Sequence, residues 1–227
     1  MSLHTYADLE QRSDEWLDVR RGIVTASVIG QLITPKKLET ASNDYSRALT
    51  LQLVAERITG WTEEPYVSHD MMRGKLDEPV ARGIYAEHYA PVTEVGFMVN
   101  DDHGFRIGFS PDGLVGDDGL IEIKSRRPKA HVATVVAGEV PAECMPQIQC
   151  GLLVSGRQWC DYVSFCGGMP LWRKRVEPTP AWFDAILAAV ESFEQSAAEM
   201  VATYQAAVAG LPATERIDHF AEPELKL

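Results

Sequence analysis

The sequence predicts an α/β fold, a sandwich in which helices flank a central β-sheet. Three observations carry that expectation. Segments with apolar residues at helical spacing stand before and after short runs of strand-like alternation. Glycine and proline punctuation cuts the chain into pieces the length of single elements. The resulting order, helix–helix–strands–helix–helix–strands–helix, leaves sheet in the middle of a layered arrangement.

In chain order, residues 27–34 read as a short helix with Ser27 as its N-cap. Residues 43–59 place Leu49, Leu53, Val54 and Ile58 at helical spacing and stop at Gly60. Residues 70–88 put Leu76, Val80, Ile84 and Tyr85 on one side of a further helix. Strands are expected over 93–100, 105–109 and 120–124, separated by Gly113 and by the D-D-G turn ending at Gly119. Helices over 129–138 and 146–154 follow, then strands over 159–165 and 171–176 joined by the turn at 167–170. Thr179 and Pro180 supply an N-cap and a first-position proline for a long, Ala-rich helix ending near Gly210. Residues 1–210 therefore form one domain, and 211–227 an irregular, acidic tail with two prolines.

The composition, 45% apolar and 24% charged over 227 residues, is that of a globular protein. No run approaches the ~20 apolar residues that span a bilayer, and the first twenty residues lack a signal-peptide core. The expectation is a cytoplasmic protein with no membrane partner. The four cysteines, Cys144, Cys150, Cys160 and Cys166, match neither paired zinc knuckles nor the common iron–sulfur spacings. Reduced, partly buried thiols are expected, without an iron–sulfur cluster.

The net charge of −12 argues at first sight against nucleic acid. Its distribution weakens that argument, because residues 177–227 hold nine acids and two bases. Residues 120–131 and 157–176 each hold four bases against one acid. An acidic exterior with a locally basic groove admits DNA at one place.

Residues 110–124 read SPDGLVGDDGLIEIK. Asp112 leaves one strand at a tight turn; Glu122 and Lys124, two apart on the next, share a face opposite Ile121 and Ile123. Two carboxylates offer hard oxygens suited to Mg²⁺, and a lysine beside them orients or deprotonates a water, or offsets developing charge. The same pattern also fits a half-exposed hairpin with no function.

Four separated segments resemble the lambda-type phage recombination exonucleases, the viral recombinase branch of the PD-(D/E)xK nucleases. They are WLDVRRGIVTAS (residues 16–27), RGKLDEPVAR (73–82), the S-P-D-G…I-E-I-K block, and PQIQCGLLVS (146–155). The resemblance implies a restriction-endonuclease-like core, a mixed central sheet with helices on both sides. It places metal ligands on Asp112, Glu122 and the Ile123 carbonyl, the catalytic lysine on Lys124, a helix glutamate on Glu78 and an active-site glutamine on Gln149. Glu78 and Arg82, at i and i+4, equally fit a surface pair, and Gln149 equally fits a core-facing, hydrogen-bonded amide. Arg20 and Ser27 match the residues that hold a substrate 5′-phosphate, and a helix N-terminus at Ser27 would add its amides. Arg21 stands beside Arg20, so either arginine fits the clamp. Arg126, Arg127 and Lys129 follow the catalytic strand and are placed to meet the DNA backbone.

The implied activity is Mg²⁺-dependent digestion of one strand of double-stranded DNA from its 5′ end, with Mn²⁺ as a substitute metal. A 3′ overhang, a homotrimeric ring and a single-strand annealing protein as partner complete the expectation. The rivals are another nuclease on the same core, an endonuclease or a RecB-like exonuclease, and a non-catalytic DNA-binding relative.

Overall fold

The computed structural model describes residues 3–63 and 67–217. Its elements run β1 (Leu3–Tyr6), α1 (Asp14–Arg20), β2 (Val24–Thr25), β3 (Ile33–Thr34), β4 (Glu39–Thr40), α2 (Asp44–Thr59) and α3 (His69–His88). Then come β5 (Phe97–Asn100), β6 (Ile107–Phe109), β7 (Gly113–Val115), β8 (Gly119–Ser125), α4 (Pro128–Ala137) and α5 (Met145–Ser155). The chain continues through β9 (Trp159–Phe165), β10 (Trp172–Val176) and α6 (Pro180–Ala207).

The α/β architecture is present: beside a two-stranded β3-β4 pair, the strands form two four-stranded sheets, ordered β1-β5-β6-β2 and β10-β9-β8-β7. Both sheets are mixed: β2 runs parallel to β6, β8 parallel to β9, and the remaining pairs are antiparallel. The parallel β8–β9 pair requires a crossover, and α4 and α5 supply it. A bridge between Thr93 and Leu114 links the approach to β5 with β7. Residues 211–217 have no regular structure, and 218–227 of the expected tail lie outside the described residues.

Local chemistry explains why the long helices fall where the pattern places them. Asn43 accepts from the Ser46 amide and the Ser46 hydroxyl accepts from the Asn43 amide, a reciprocal cap on α2. Gly60 closes that helix at φ 72°, where only glycine sits without strain. Ser68 caps α3 by accepting from Met71 N.

The short helix expected over 27–34 is absent. Residues 27–28 form a turn, a single 3₁₀ turn covers Ile29–Gln31, and Ile33–Thr34 is already strand. The β-branched Val28, Ile29 and Ile33, with Gly30 among them, resist helix, and Pro35 holds Thr34 extended. Val28, rather than Ser27, precedes the 3₁₀ turn, and no side chain caps it.

Both faces of β8 are covered. Ile121 and Ile123 pack with Ala81 and Tyr85 of α3 and with Val163 and Phe165 of β9. Leu120, on the other face, joins the main core formed with α2, α5 and α6. Buried Asp161 ties α3 to β9 and β10: Tyr85 Oη donates to it at 2.8 Å, Arg175 Nε at 2.9 Å and Arg173 at 3.0 Å. Those bonds hold its carboxyl below the usual range although burial works the other way. The four cysteines are free thiols buried in the structure. No described helix is long and apolar enough to cross a membrane.

Candidate active site

The turn that carries Asp112 depends on the glycine after it. A Cβ at Gly113 would lie 2.2 Å from Val92 Cγ1 and 3.1 Å from the Ile121 side chain. With Gly113 opposite Ile121 in the β7–β8 pair, Asp112 comes to rest beside the middle of β8. Its Oδ2 accepts the Ile123 amide at 2.6 Å, and its carbonyl accepts Arg82 Nε at 2.7 Å.

Glu122 is 1% exposed. Lys124 Nζ lies 2.5 Å from Glu122 Oε1 as an ion pair, and Glu122 Oε2 has no hydrogen-bond partner among the described residues. Glu78, on α3, forms an ion pair with Arg82, which also meets Glu94 at 2.7 Å. The i, i+4 pair therefore forms, but with side chains only 13% and 20% exposed, and Arg82 also bridges Glu78 to the Asp112 carbonyl.

The electrostatics are those of a crowded carboxylate cluster. Burial, followed by the Asp112 charge, raises the Glu78 carboxyl to about 6. Burial raises Glu122 to about 7, with Lys124 the main opposing influence, and it raises Asp112 as well. Burial works against the Lys124 ammonium, but Glu122 and Asp112 outweigh it, so its pKa rises. The lysine is a cation at neutral pH.

The structure does not bring Gln149 to this cluster. Gln149 is fully buried; its Nε2 donates to the Glu177 carbonyl at 2.8 Å and its Oε1 accepts the Thr179 amide at 2.9 Å. Gln147 takes that place instead, its Oε1 accepting from Lys124 Nζ at 2.9 Å. Residues two apart on a helix point to opposite sides, so only one glutamine of Q-I-Q can face the site. That signal was in the sequence; which of the two faces inward was not.

Arg20 and Ser27 do meet, through a third residue the motif reading passed over. Arg20 donates to Thr25 Oγ1 at 3.4 Å, and Thr25 Oγ1 lies 3.1 Å from Ser27 Oγ. The Arg20 guanidinium stacks 3.9 Å above the Trp16 ring, whose Nε1 donates to Ser110 Oγ at 3.0 Å, two residues before Asp112. The helix N-terminus expected at Ser27 does not exist, so the cluster rests on side chains alone.

Among the basic candidates, Arg126 turns inward to Tyr162 Oη (3.1 and 3.2 Å) and Cys144 Sγ (3.1 Å). Arg127 is exposed and paired with Asp70. Arg21 is paired with Asp18, and Lys129 stands exposed in the first turn of α4.

Among the described residues, no group of three or more His, Cys, Asp or Glu side chains is gathered as a metal site. The donor set is instead two carboxylates, Asp112 and Glu122. A buried Glu122 whose Oε2 is unpartnered and whose Oε1 meets only the Lys124 ammonium fits a hard cation that completes its shell with carbonyl, water and phosphate oxygens.

A carboxylate pair and a lysine on adjoining hairpin strands, set in a mixed sheet between helices, define a PD-(D/E)xK nuclease core. The model of the YqaJ-like viral recombinase domain family matches residues 15–158, and the chain belongs to that family. The matched span contains all four sequence segments. An alkaline exonuclease (LHK-Exo) from Laribacter hongkongensis is similar at 32% identity, over 88% of this chain and 100% of that one, with a TM-score of 0.78. LHK-Exo in complex with dAMP matches equally well. A phage-related exonuclease from Haemophilus somnus 129PT, 11% identical over 80% of this chain and 96% of its own, shares the fold at a TM-score of 0.59. No curated protein matches. Family and fold make the chain an exonuclease-type enzyme.

Proposed function

We propose that the chain is a divalent-metal-dependent DNA exonuclease that digests one strand of a duplex from its 5′ end and leaves a 3′ overhang. The observation that carries this is Glu122, a buried carboxylate with an unpartnered oxygen, beside Asp112 and a cationic lysine. Asp112, Glu122 and the Ile123 carbonyl would hold Mg²⁺, or Mn²⁺ in its place. When bound, the cation supplies Lewis-acid polarisation of the phosphoryl group and a more acidic water.

The chain's own residues do the rest. Lys124, as an ammonium held by Gln147, donates to the attacking water or the phosphate and offsets charge developing in the transition state. The Ile123 amide fixes the Asp112 carboxylate, and Arg82 fixes its backbone and Glu78 together. A relative that holds dAMP supports release of deoxynucleoside monophosphates. Incubating linear and circular duplexes with Mg²⁺ or with chelator tests the reading. Cleavage of the linear form alone, abolished by chelator, is expected; cleavage of circles would point to an endonuclease.

Arg20, Thr25 and Ser27 form a hydroxyl-and-guanidinium cluster suited to a terminal 5′-phosphate, coupled through Trp16 and Ser110 to the Asp112 turn. Duplexes with a 5′-phosphate should be digested about tenfold faster than 5′-hydroxyl duplexes, the size of a charge-assisted contact. Arg20→Ala should shrink that ratio. Equal single-turnover rates on both substrates with the unaltered enzyme would remove the phosphate site.

Assembly as a closed homotrimer belongs to the same reading, with a single-strand annealing protein taking up the overhang. Two uncovered apolar helix faces support self-association: Met72, Leu76 and Val80 on α3, and Val132, Val135 and Val136 on α4. With a chain mass of 25.1 kDa, light scattering should find a species of about 75 kDa. A single species at the chain mass across micromolar concentrations would exclude the ring.

A further inference from the structure

Arg12 precedes α1 and has backbone φ 77°, one of two positive values at non-glycine residues in the described chain. Glycine adopts that conformation without steric cost and arginine does not, and such strain persists where the surroundings fix the loop. The surroundings here are specific. Gln11 Nε2 donates to the Pro111 carbonyl at 3.2 Å and to the Val95 carbonyl at 3.3 Å. Ser13 caps α1 by accepting the Trp16 amide. Arg12 is thus pinned between a clamp on the residue preceding Asp112 and the start of the helix that carries Arg20.

The side chain is exposed and makes no hydrogen bond or ion pair with another described residue. Its charge nonetheless reaches the carboxylates, opposing the upward shifts of both Glu78 and Asp112. The other cations at this centre are engaged: Arg82 with Glu78, Glu94 and the Asp112 carbonyl, and Lys124 with Glu122 and Gln147. A five-donor fork carried next to the Gln11 clamp on Pro111, with its donors uncommitted, is suited to meet a phosphate.

We propose that Arg12 is a substrate-binding residue, its guanidinium contacting a DNA backbone phosphate as the strand enters the Asp112–Glu122 centre. The proposal rests on reading that centre as the place where DNA is cut.

The test uses the full chain and Arg12→Gly, which removes the guanidinium and suits the left-handed backbone. Binding of a 5′-phosphorylated duplex is measured in chelator across a salt series, and single-turnover cleavage in Mg²⁺. Loss of one phosphate contact should make the slope of log K against log [salt] shallower by about 0.9. Cleavage should slow about tenfold, the worth of one charge-assisted contact, while the thermal midpoint stays equal or rises. Arg12→Lys should recover the salt slope. An Arg12→Gly protein with unaltered slope and rate overturns the proposal. So does a lowered midpoint with unaltered slope, which would make Arg12 a counter-charge for the carboxylates and nothing more. If the unaltered protein cuts no duplex but the slope still changes, the exonuclease reading fails and the DNA contact stands.

Discussion

Asp112→Asn and Lys124→Ala are each expected to lower cleavage by about 10³-fold, some 4 kcal/mol of transition-state stabilisation. Neither should unfold the protein. An asparagine keeps an oxygen that accepts the Ile123 amide, so the turn before β7 retains its tie to β8. It also removes the negative charge that raises the pKa of both Glu78 and Glu122. The thermal midpoint of Asp112→Asn should therefore equal or exceed that of the unaltered protein, as is common where a site trades stability for activity. Lys124 has a side chain 31% exposed, so its truncation opens no core cavity. Single-turnover assays in Mg²⁺, with circular dichroism to establish folding, provide the measurement. A folded variant that cuts at nearly the unaltered rate would falsify the assignment of that residue.

The parts of this fold legible in the sequence are those with repeated local signals. Helices α2 and α3 show several turns of apolar spacing, and polar caps mark their starts at Asn43 and Ser68. Strands β8 and β9 are seven residues each, long enough for period-two reasoning to put Glu122 and Lys124 on one face. The two-residue strands β2, β3 and β4 contain too few residues to show any period. They also explain the error at 27–34, where Ser27 read as an N-cap but β-branched residues and Pro35 decided otherwise. The division into two sheets was not legible, because it depends on which strands meet: β6 pairs with β2, more than eighty residues earlier.

The candidate site divides along the same line. The turn at S-P-D-G and the alternation of I-E-I-K fix the neighbourhood of Asp112, Glu122 and Lys124. Burial of Glu122 was not legible, since a strand with one polar face is equally a half-exposed strand. Only α3 over Ile121 and Ile123, and α5 and α6 beyond the opposite face, remove that alternative. Arg12 gave no signal either, because a side chain's identity does not reveal that its backbone stands at positive φ.

Gln147 and Gln149 should separate function from stability, and the second effect is the larger in energy. Gln147→Ala removes the acceptor that holds the Lys124 ammonium. A hydrogen bond to a charged group is worth ~1.5–3 kcal/mol, so cleavage should fall roughly 10- to 100-fold. Gln147 is half-buried and its loss strands no backbone group, so the unfolding free energy should barely move. Gln149→Ala does the reverse. It leaves the Glu177 carbonyl and the Thr179 amide without their partners at the approach to α6, beside a fully buried position. Two orphaned backbone groups at ~1–3 kcal/mol each should lower stability by about 2–5 kcal/mol in denaturant titrations. Cleavage by the fraction that remains folded should stay near the unaltered rate. The opposite pattern, a stable Gln149→Ala protein that no longer cuts beside a Gln147→Ala protein that does, would return the active-site role to Gln149. It would also mean that α5 is rotated by about half a turn in the working enzyme, because residues two apart on a helix cannot serve one site together.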